Sequence, residues 1–474
     1  MSESRQNKSA FSRLISLLSQ SLKGENIDFT TGSIRRAVLL LAIPMMLEMM
    51  MESIFALVDL YFVGHLENSS FAVQTVGLTE SVLTIIYSIA IGMSMAATAV
   101  VARRIGEKDP VAAAKAGMQA IVIALAVNLV IAVAGIIYAT DILLIMGSSE
   151  ESAVFGTPFT QIMMGSSFII MLLFLFNGIF RGAGNAAIAM KSLWIANICN
   201  IILCPVFIMG LGPVPAYGLT GAAIATTIGR GIGVTYQLYN LFNGKGMLKV
   251  AASYFIPHWE QMKALIKIAL PGILQFVIAS CSWIFLAQLV ATTGGDEGSA
   301  GYQSAIRIMM FFMLPAWGLS NAAATLAGQN LGAKHVDRAE RSVFVTAKYN
   351  AIYMGAIMAI TLLAAEPLMW FFTNNAHVHD IAVEAIRILS AGYVFYGIGM
   401  VLINAFNGAG DTKTPTWVNF FGFWLFQIPL AYLLAKYCDM GPTGVFLAIP
   451  IAETAMTLVS IILFRRGRWK RIEV

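Results

Sequence analysis

Three carboxylates, Glu48, Glu52 and Asp59, stand in one apolar run, IPMMLEMMMESIFALVDLYFVGHL from Ile43. In a helix turning about 100° per residue they fall at roughly 0°, 40° and 20° around the axis, one stripe about 16 Å long. An ionised side chain at the centre of a bilayer costs about 3 kcal/mol on the insertion scale, so three unpaired charges would cost about 9 kcal/mol. The stripe must therefore take up protons, a metal cation, a cationic substrate or hydrogen bonds from internal donors. Met45, Met46, Met49, Met50 and Met51 flank it and offer either a soft wall for apolar cations or ordinary packing.

Other polar side chains also interrupt apolar stretches: Asn177, Asn197, Asn200, Arg230, Gln275, Gln303, Arg307 and Glu453. The amides suit interhelical hydrogen bonds as well as they suit a cavity wall. The five histidines fall in loops or at span ends, without the nucleophile and base partners an enzyme needs. Cys199, Cys204, Cys281 and Cys438 have neither CxxC nor metal-ligand spacing, so no disulfide framework, resident metal or cofactor is expected.

The elements that must hold these residues are membrane spans. Of 474 residues 58% are hydrophobic and only 12% charged, with mean hydropathy +0.76. Segments of the roughly 20 residues that cross hydrocarbon recur at 37–62, 75–101, 113–139, 158–180, 187–210, 218–242, 264–291, 303–328, 343–372, 383–406, 416–436 and 443–464. Nothing is left over for a soluble catalytic domain. The first 33 residues lack the apolar core of a secretory signal, and an amphipathic piece at Phe11–Leu22 suits a membrane surface.

On alternation of these spans, 26 of the 30 Lys and Arg fall on the side of the two tails, against Lys436 alone in an opposite loop. Cytoplasmic loops retain positive charge, which predicts both termini in the cytoplasm, an even number of spans and a multi-pass protein of the bacterial inner membrane. The net charge of +5 is thus spent on topology, and no nucleic-acid partner is expected.

The chain also repeats itself at an offset of about 226 residues. GMSMAATAVVARRIGEK from Gly92 matches GLSNAAATLAGQNLGAK from Gly318, and FRGAGN from Phe180 matches FNGAGD from Phe406. The expected organisation is a tail at 1–33, a six-helix lobe at 34–242, a linker at 243–262, a second lobe at 263–464 and a basic tail at 465–474. Both lobes start on the same side, a parallel repeat of the kind that places a substrate cavity between its halves. At the repeat positions of Glu48, Glu52 and Asp59 stand Gln275, Ala279 and Leu286, while Arg230 faces Glu453 in the alignment. The acidic stripe belongs to one lobe only and points to a coupling site there.

ARRIGEKD from Ala102, the paired RGAGN and NGAGD turns, the first span with Pro44, Asp59 and VGH at Val63, and LPAWGLSNAAATLAGQNLGA from Leu314 resemble the multidrug and toxic compound extrusion (MATE) family. The matches cover nearly the whole chain. The resemblance implies an all-α polytopic membrane protein with twelve transmembrane helices, in two pseudo-symmetric six-helix lobes that form a V-shaped central cleft. It implies antiport of small-molecule substrates, organic cations above all, against sodium or protons, by a chain working in the lipid bilayer as a monomer. Asp59 occupies the position of the family's first-span aspartate and would be where sodium is carried, with Glu52 and Glu48 as further ion ligands. Asn177, Asn200, Gln275, Gln303, Arg230 and Glu453 are the substrate or cavity candidates. The seventh-span acid of the NorM-type branch falls on Ala279, and 386–406 holds no acid either. The competing expectation is a flippase for lipid-linked precursors, whose anionic cargo would call for several bases in the cavity.

Overall fold

The computed structural model describes residues 10–24, 27–64, 69–244, 246–370 and 375–474. Ala10–Lys23 is the expected amphipathic helix. Spans 1 to 3 are Ile34–Gly64, Ser69–Gly106 and Pro110–Ile137. Span 4 is broken into Glu150–Gly165 and Ser167–Gly182, span 5 runs through Ala186–Pro205 and Val206–Gly210, and span 6 is Gly218–Phe242. Spans 7 and 8 are the two arms of Trp259–Gly332, and span 9 is Val336–Leu363. Span 10 comprises Ala376–Ser390 and Tyr393–Gly408, bent by 54°; span 11 lies within Lys413–Tyr437 and span 12 is Pro442–Arg465.

The arms of spans 7 and 8 reverse at Gly295, where φ is 63° and ψ −158°, a conformation that costs an L side chain strain. They then run back side by side: Phe276 and Trp317, on either side of that turn, bring their ring centroids to 6.0 Å. Among the described residues, span 6 is less apolar than the others because glycines, threonines and Arg230 interrupt it. Span 4 begins earlier than its hydropathy suggests. Its first turn, Glu150 and Glu151 behind the Ser149 cap, is polar but helical because acidic residues and a capping hydroxyl favour a helix N-terminus. Span 9 ends at Leu363 instead of 372, and Ala365–Trp370 forms a separate short helix.

Repeat-equivalent residues adopt repeat-equivalent geometry. Lys108 and Lys334, 226 positions apart, are both left-handed (φ 64° and 60°), as are Gly184 and Gly410 (85° and 87°). The lobes meet through a reciprocal pair: Gly106 lies against the carbonyl of Gln329, and Gly332 lies against the carbonyl of Arg103. Deeper in, Gly92 packs on Ile273 and Gly318 on Met45. Each contact leaves no room for a Cβ, which is why glycine stands at both ends of the pseudo-twofold.

All these contacts lie in the halves of the spans nearest the tails. Beyond Ser53, whose Oγ donates to Phe311 O at 3.5 Å, the outer parts of spans 2 and 8 present exposed Gln74, Glu80 and Thr84, and Asp296, Gln303 and Arg307. The V between the lobes opens toward that side.

The tails strap the closed side. Arg338, at the start of span 9, donates to the carbonyls of Thr31 and Gly32 at 2.7 Å each and of Phe29 at 3.1 Å. In the other direction Arg103 donates to Ile472 O at 2.7 Å and Arg104 to Val474 O at 2.9 Å. Trp469, fully buried, stacks on Phe464 and anchors the last segment. Besides contacts with its own lobe, each tail is thus gripped by the lobe to which it does not belong.

Candidate functional site

Span 1 turns Glu48 and Glu52 inward onto spans 4 and 5. Glu48 is completely buried, and its Oε1 accepts from Asn177 Nδ2 at 2.9 Å and pairs with the Arg181 guanidinium. Its Oε2 is buried without a partner. Asn177 Oδ1 in turn accepts from Gln237 Nε2 at 2.5 Å, and Gln237 also donates to Ser192 Oγ at 3.0 Å. One carboxylate is therefore held by a chain of donors from spans 4, 5 and 6. Such a pair survives burial only because the guanidinium and the amide replace the water the carboxylate gives up.

One turn on, Glu52 is half-buried and its Oε2 accepts from Asn197 Nδ2 at 3.0 Å. No Lys or Arg pairs with it among the described residues. Asp59 lies two turns further along the same helix, and its side chain falls outside the described residues. Asn200 spends its amide on Thr226 Oγ1 at 2.8 Å and so joins spans 5 and 6. Arg230 donates to the Tyr87 hydroxyl at 2.9 Å, its guanidinium 5.8 Å from the centre of that ring.

In the second lobe Gln275 is buried, with Nε2 donating to Asn407 Oδ1 and to Thr412 O, each at 3.0 Å. Gln303 is exposed on span 8. Glu453 is buried on span 12 and pairs with no basic residue among those described, Arg230 included.

Between the lobes lies a small cavity of about 40 Å³, lined by Met49 and Arg181 from one side and Trp317, Asn321, Asn404 and Asn407 from the other. Of the cavity candidates named from the sequence, Asn177, Asn200 and Gln275 stand behind this wall rather than in it. Among the residues that do reach it, Asn407 bonds Gln275 and Arg181 pairs with Glu48, the acceptor of Asn177. Arg181 is the largest departure from the sequence reading, which counts it as a tail-side loop charge. It sits inside Ser167–Gly182, only 13% exposed, and connects the central cavity to the buried acid. The signal was available: Glu48 becomes Gln275 and Arg181 becomes Asn407 in the repeat alignment, a joint exchange of charge for amide.

Two six-helix lobes about a small central cavity, with charge buried beside it in the first lobe, define a membrane transporter of the duplicated-lobe kind. The MatE family model matches residues 44–206 and 271–433, once in each lobe, and the chain belongs to that family. It is 24% identical over 446 residues to a probable multidrug resistance protein NorM of Thermotoga maritima, covering 92% of this chain and 94% of that one. It is also 22% identical to a multidrug export protein MepA of Staphylococcus haemolyticus, over 91% of this chain and 94% of the relative. An FAD transporter of Shewanella oneidensis is 24% identical over 92% of this chain and 95% of its own length. Among solved structures, a MATE in complex with MaL6 superposes with a TM-score of 0.88 at 26% identity, covering 94% of this chain and all of that one. An outward-facing conformation of a multidrug resistance MATE family transporter gives the same TM-score and identity over 94% of this chain and 99% of its own.

Proposed function

We propose that this chain is a secondary antiporter of the inner membrane that exports organic cations against protons or sodium, with its tails in the cytoplasm. The observation that carries this reading is the charge balance of span 1. Of its two described interior carboxylates, Glu48 is matched by Arg181, whereas Glu52 has an amide and no ion pair among the described residues, so span 1 keeps negative charge for a cation. Asp59 continues the same stripe and is the principal coupling group; Glu52 assists it. The closed tail side is then cytoplasmic and the V faces outward. A coupling ion that binds one conformation better than the other shifts the lobes between the two, and substrate competes for the same charge. A precursor flippase is disfavoured by the cavity wall, in which Arg181, the one base among the described lining residues, is already neutralised by Glu48.

Efflux of a fluorescent cation from proteoliposomes, with sodium and proton gradients imposed separately, tests the reading. Asp59→Asn keeps size and hydrogen bonding but removes the charge, and should abolish gradient-driven efflux in protein that still folds. Near-normal exchange by this variant would sink the assignment. Cys438, which is exposed, should react with an impermeant thiol reagent from outside the cell. Labelling only from the cytoplasm would overturn the orientation.

A further inference from the structure

Glu453 is as deeply placed as the functional acids of the first lobe, yet the proposed function leaves it without a task. It is 9% exposed, and its Oε1 is buried with no hydrogen-bond partner. The groups around it come from two neighbouring spans. Span 10 packs along span 12 on either side of Glu453, with Gly392 on Pro450 and the Phe395 carbonyl accepting from Thr457 Oγ1 at 2.9 Å; it carries Tyr396 and Tyr393, whose hydroxyl is itself buried and unpartnered. Span 11 runs antiparallel to span 12, with Gly422 against Met456 and Gly444 against Ala435, which brings Gln427 level with Glu453. The Gln427 amide nitrogen is also buried without an acceptor.

Among the described residues no lysine or arginine pairs with this acid. On span 11, Lys413 and Lys436 lie at the two ends, and on the first half of span 10 Arg387 is paired with Glu366. Glu384 is bonded to Thr443 at the start of span 12, Lys470 is paired with Glu340, and Arg307 points its exposed side chain away from the lobe interior. Glu48, more deeply buried still, has a guanidinium; Glu453 has no ion pair among the described residues, and its Oε1 has no hydrogen-bond partner. An isolated carboxylate in such surroundings costs several kcal/mol, and a bound proton removes that cost.

We infer that Glu453 is a proton-binding site of the second lobe, a buried carboxyl that carries a proton while the tail side is closed and that acts apart from the first-span stripe. The neighbouring span is built to change its surroundings. The 54° bend of span 10 falls between Ser390 and Tyr393, and Gly392 at that bend packs on Pro450, one turn from Glu453. Straightening or deepening the bend would move Tyr396 relative to the acid and let water reach it, so proton affinity follows the conformation of the lobe.

Infrared spectroscopy of the purified full-length chain in lipid nanodiscs tests this without any transport assay. At pH 7 the wild type should show the carbonyl stretch of a protonated carboxyl, lost in Glu453→Gln and retained in Asp59→Asn. Retention of the band in Glu453→Gln overturns the inference, as does its disappearance when sodium chloride is added to the wild type at fixed pH, which would mark a metal-cation site. Should the glutamine variant fail to fold, Glu453→Asp replaces it: the band must then shift in frequency, and an unshifted band overturns the inference equally. Because the Glu453 variants leave span 1 untouched, the antiport reading and this one can fail separately.

Discussion

At one pair of repeat-equivalent positions the first lobe joins Glu48 to Arg181 and the second joins Gln275 to Asn407. The backbone setting is shared: an inward side chain on the first helix of the lobe meets the residue after the Phe that both repeats carry (Phe180, Phe406) at the end of the fourth, and both second partners line the central cavity. The second lobe shows that the fold asks only for a hydrogen bond here, worth about 1 kcal/mol net. Charge in the first lobe is an addition, and it brings a desolvation cost that the amide pair avoids.

The largest effect expected from breaking this contrast is in Arg181→Met, which leaves Glu48 buried without its counter-cation and should destabilise the protein by about 3–5 kcal/mol. Asn407→Leu, its counterpart, should cost about 1–3 kcal/mol. Thermal unfolding of the purified variants compares them, and equal losses would mean that the ion pair is no more than another hydrogen bond. The double change Glu48→Gln with Arg181→Asn rewrites the first lobe as the second and should recover most of the stability lost in Arg181→Met. Failure to recover would show that the charge is needed for folding.

Smaller and symmetric are the effects at the reciprocal glycines. Gly106→Val and Gly332→Val each force a side chain against a carbonyl of the other lobe, an overpacking cost of about 1–3 kcal/mol borne by the tail-closed state alone. Electron-spin distance measurements across the tail side should show both variants displaced toward separated lobes by similar populations. A response from one glycine only would break the pseudo-twofold equivalence.

The smallest effect belongs to the tails. Burial pushes the Asp28 carboxyl up, but hydrogen bonds from Lys108 and from the Thr30 hydroxyl and backbone outweigh it and hold the group at about 2. A carboxyl held below its unfolded value stabilises the fold above that value, near 4, and the contribution is lost as pH falls toward 2. Both partners are well exposed, so the pair is worth about 0.5 kcal/mol. Asp28→Asn should therefore melt slightly below wild type at pH 7, with the gap closing between pH 4 and 2.

The span count, the two lobes and the one-sided acidic stripe were legible because hydropathy and an internal offset need no tertiary information. Arg181 was misplaced for a physical reason. Hydropathy treats an arginine near a span end as the start of a loop, whereas a buried carboxylate 133 residues away can draw it into the helix bundle. The breaks in spans 4 and 10 were hidden likewise, since they depend on packing at Ser166 and Gly392 and not on local composition. Nor could sequence tell Asn200, which ties two helices together, from Arg181, which faces the cavity.

The crossed straps also carry a consequence for biosynthesis. Arg103 and Arg104 emerge from the ribosome early, but the carbonyls they hold at Ile472 and Val474 are made only after the whole second lobe. Arg338 waits in the opposite sense, arriving long after the segment at Phe29–Gly32 that it grips. A nascent first lobe therefore lacks the carbonyl acceptors of Arg103 and Arg104 and leaves the Gly106 face bare until its twin is inserted. Clasping is the last event of assembly, which makes the strapped side a natural checkpoint for the chaperones and proteases that survey unfinished membrane proteins.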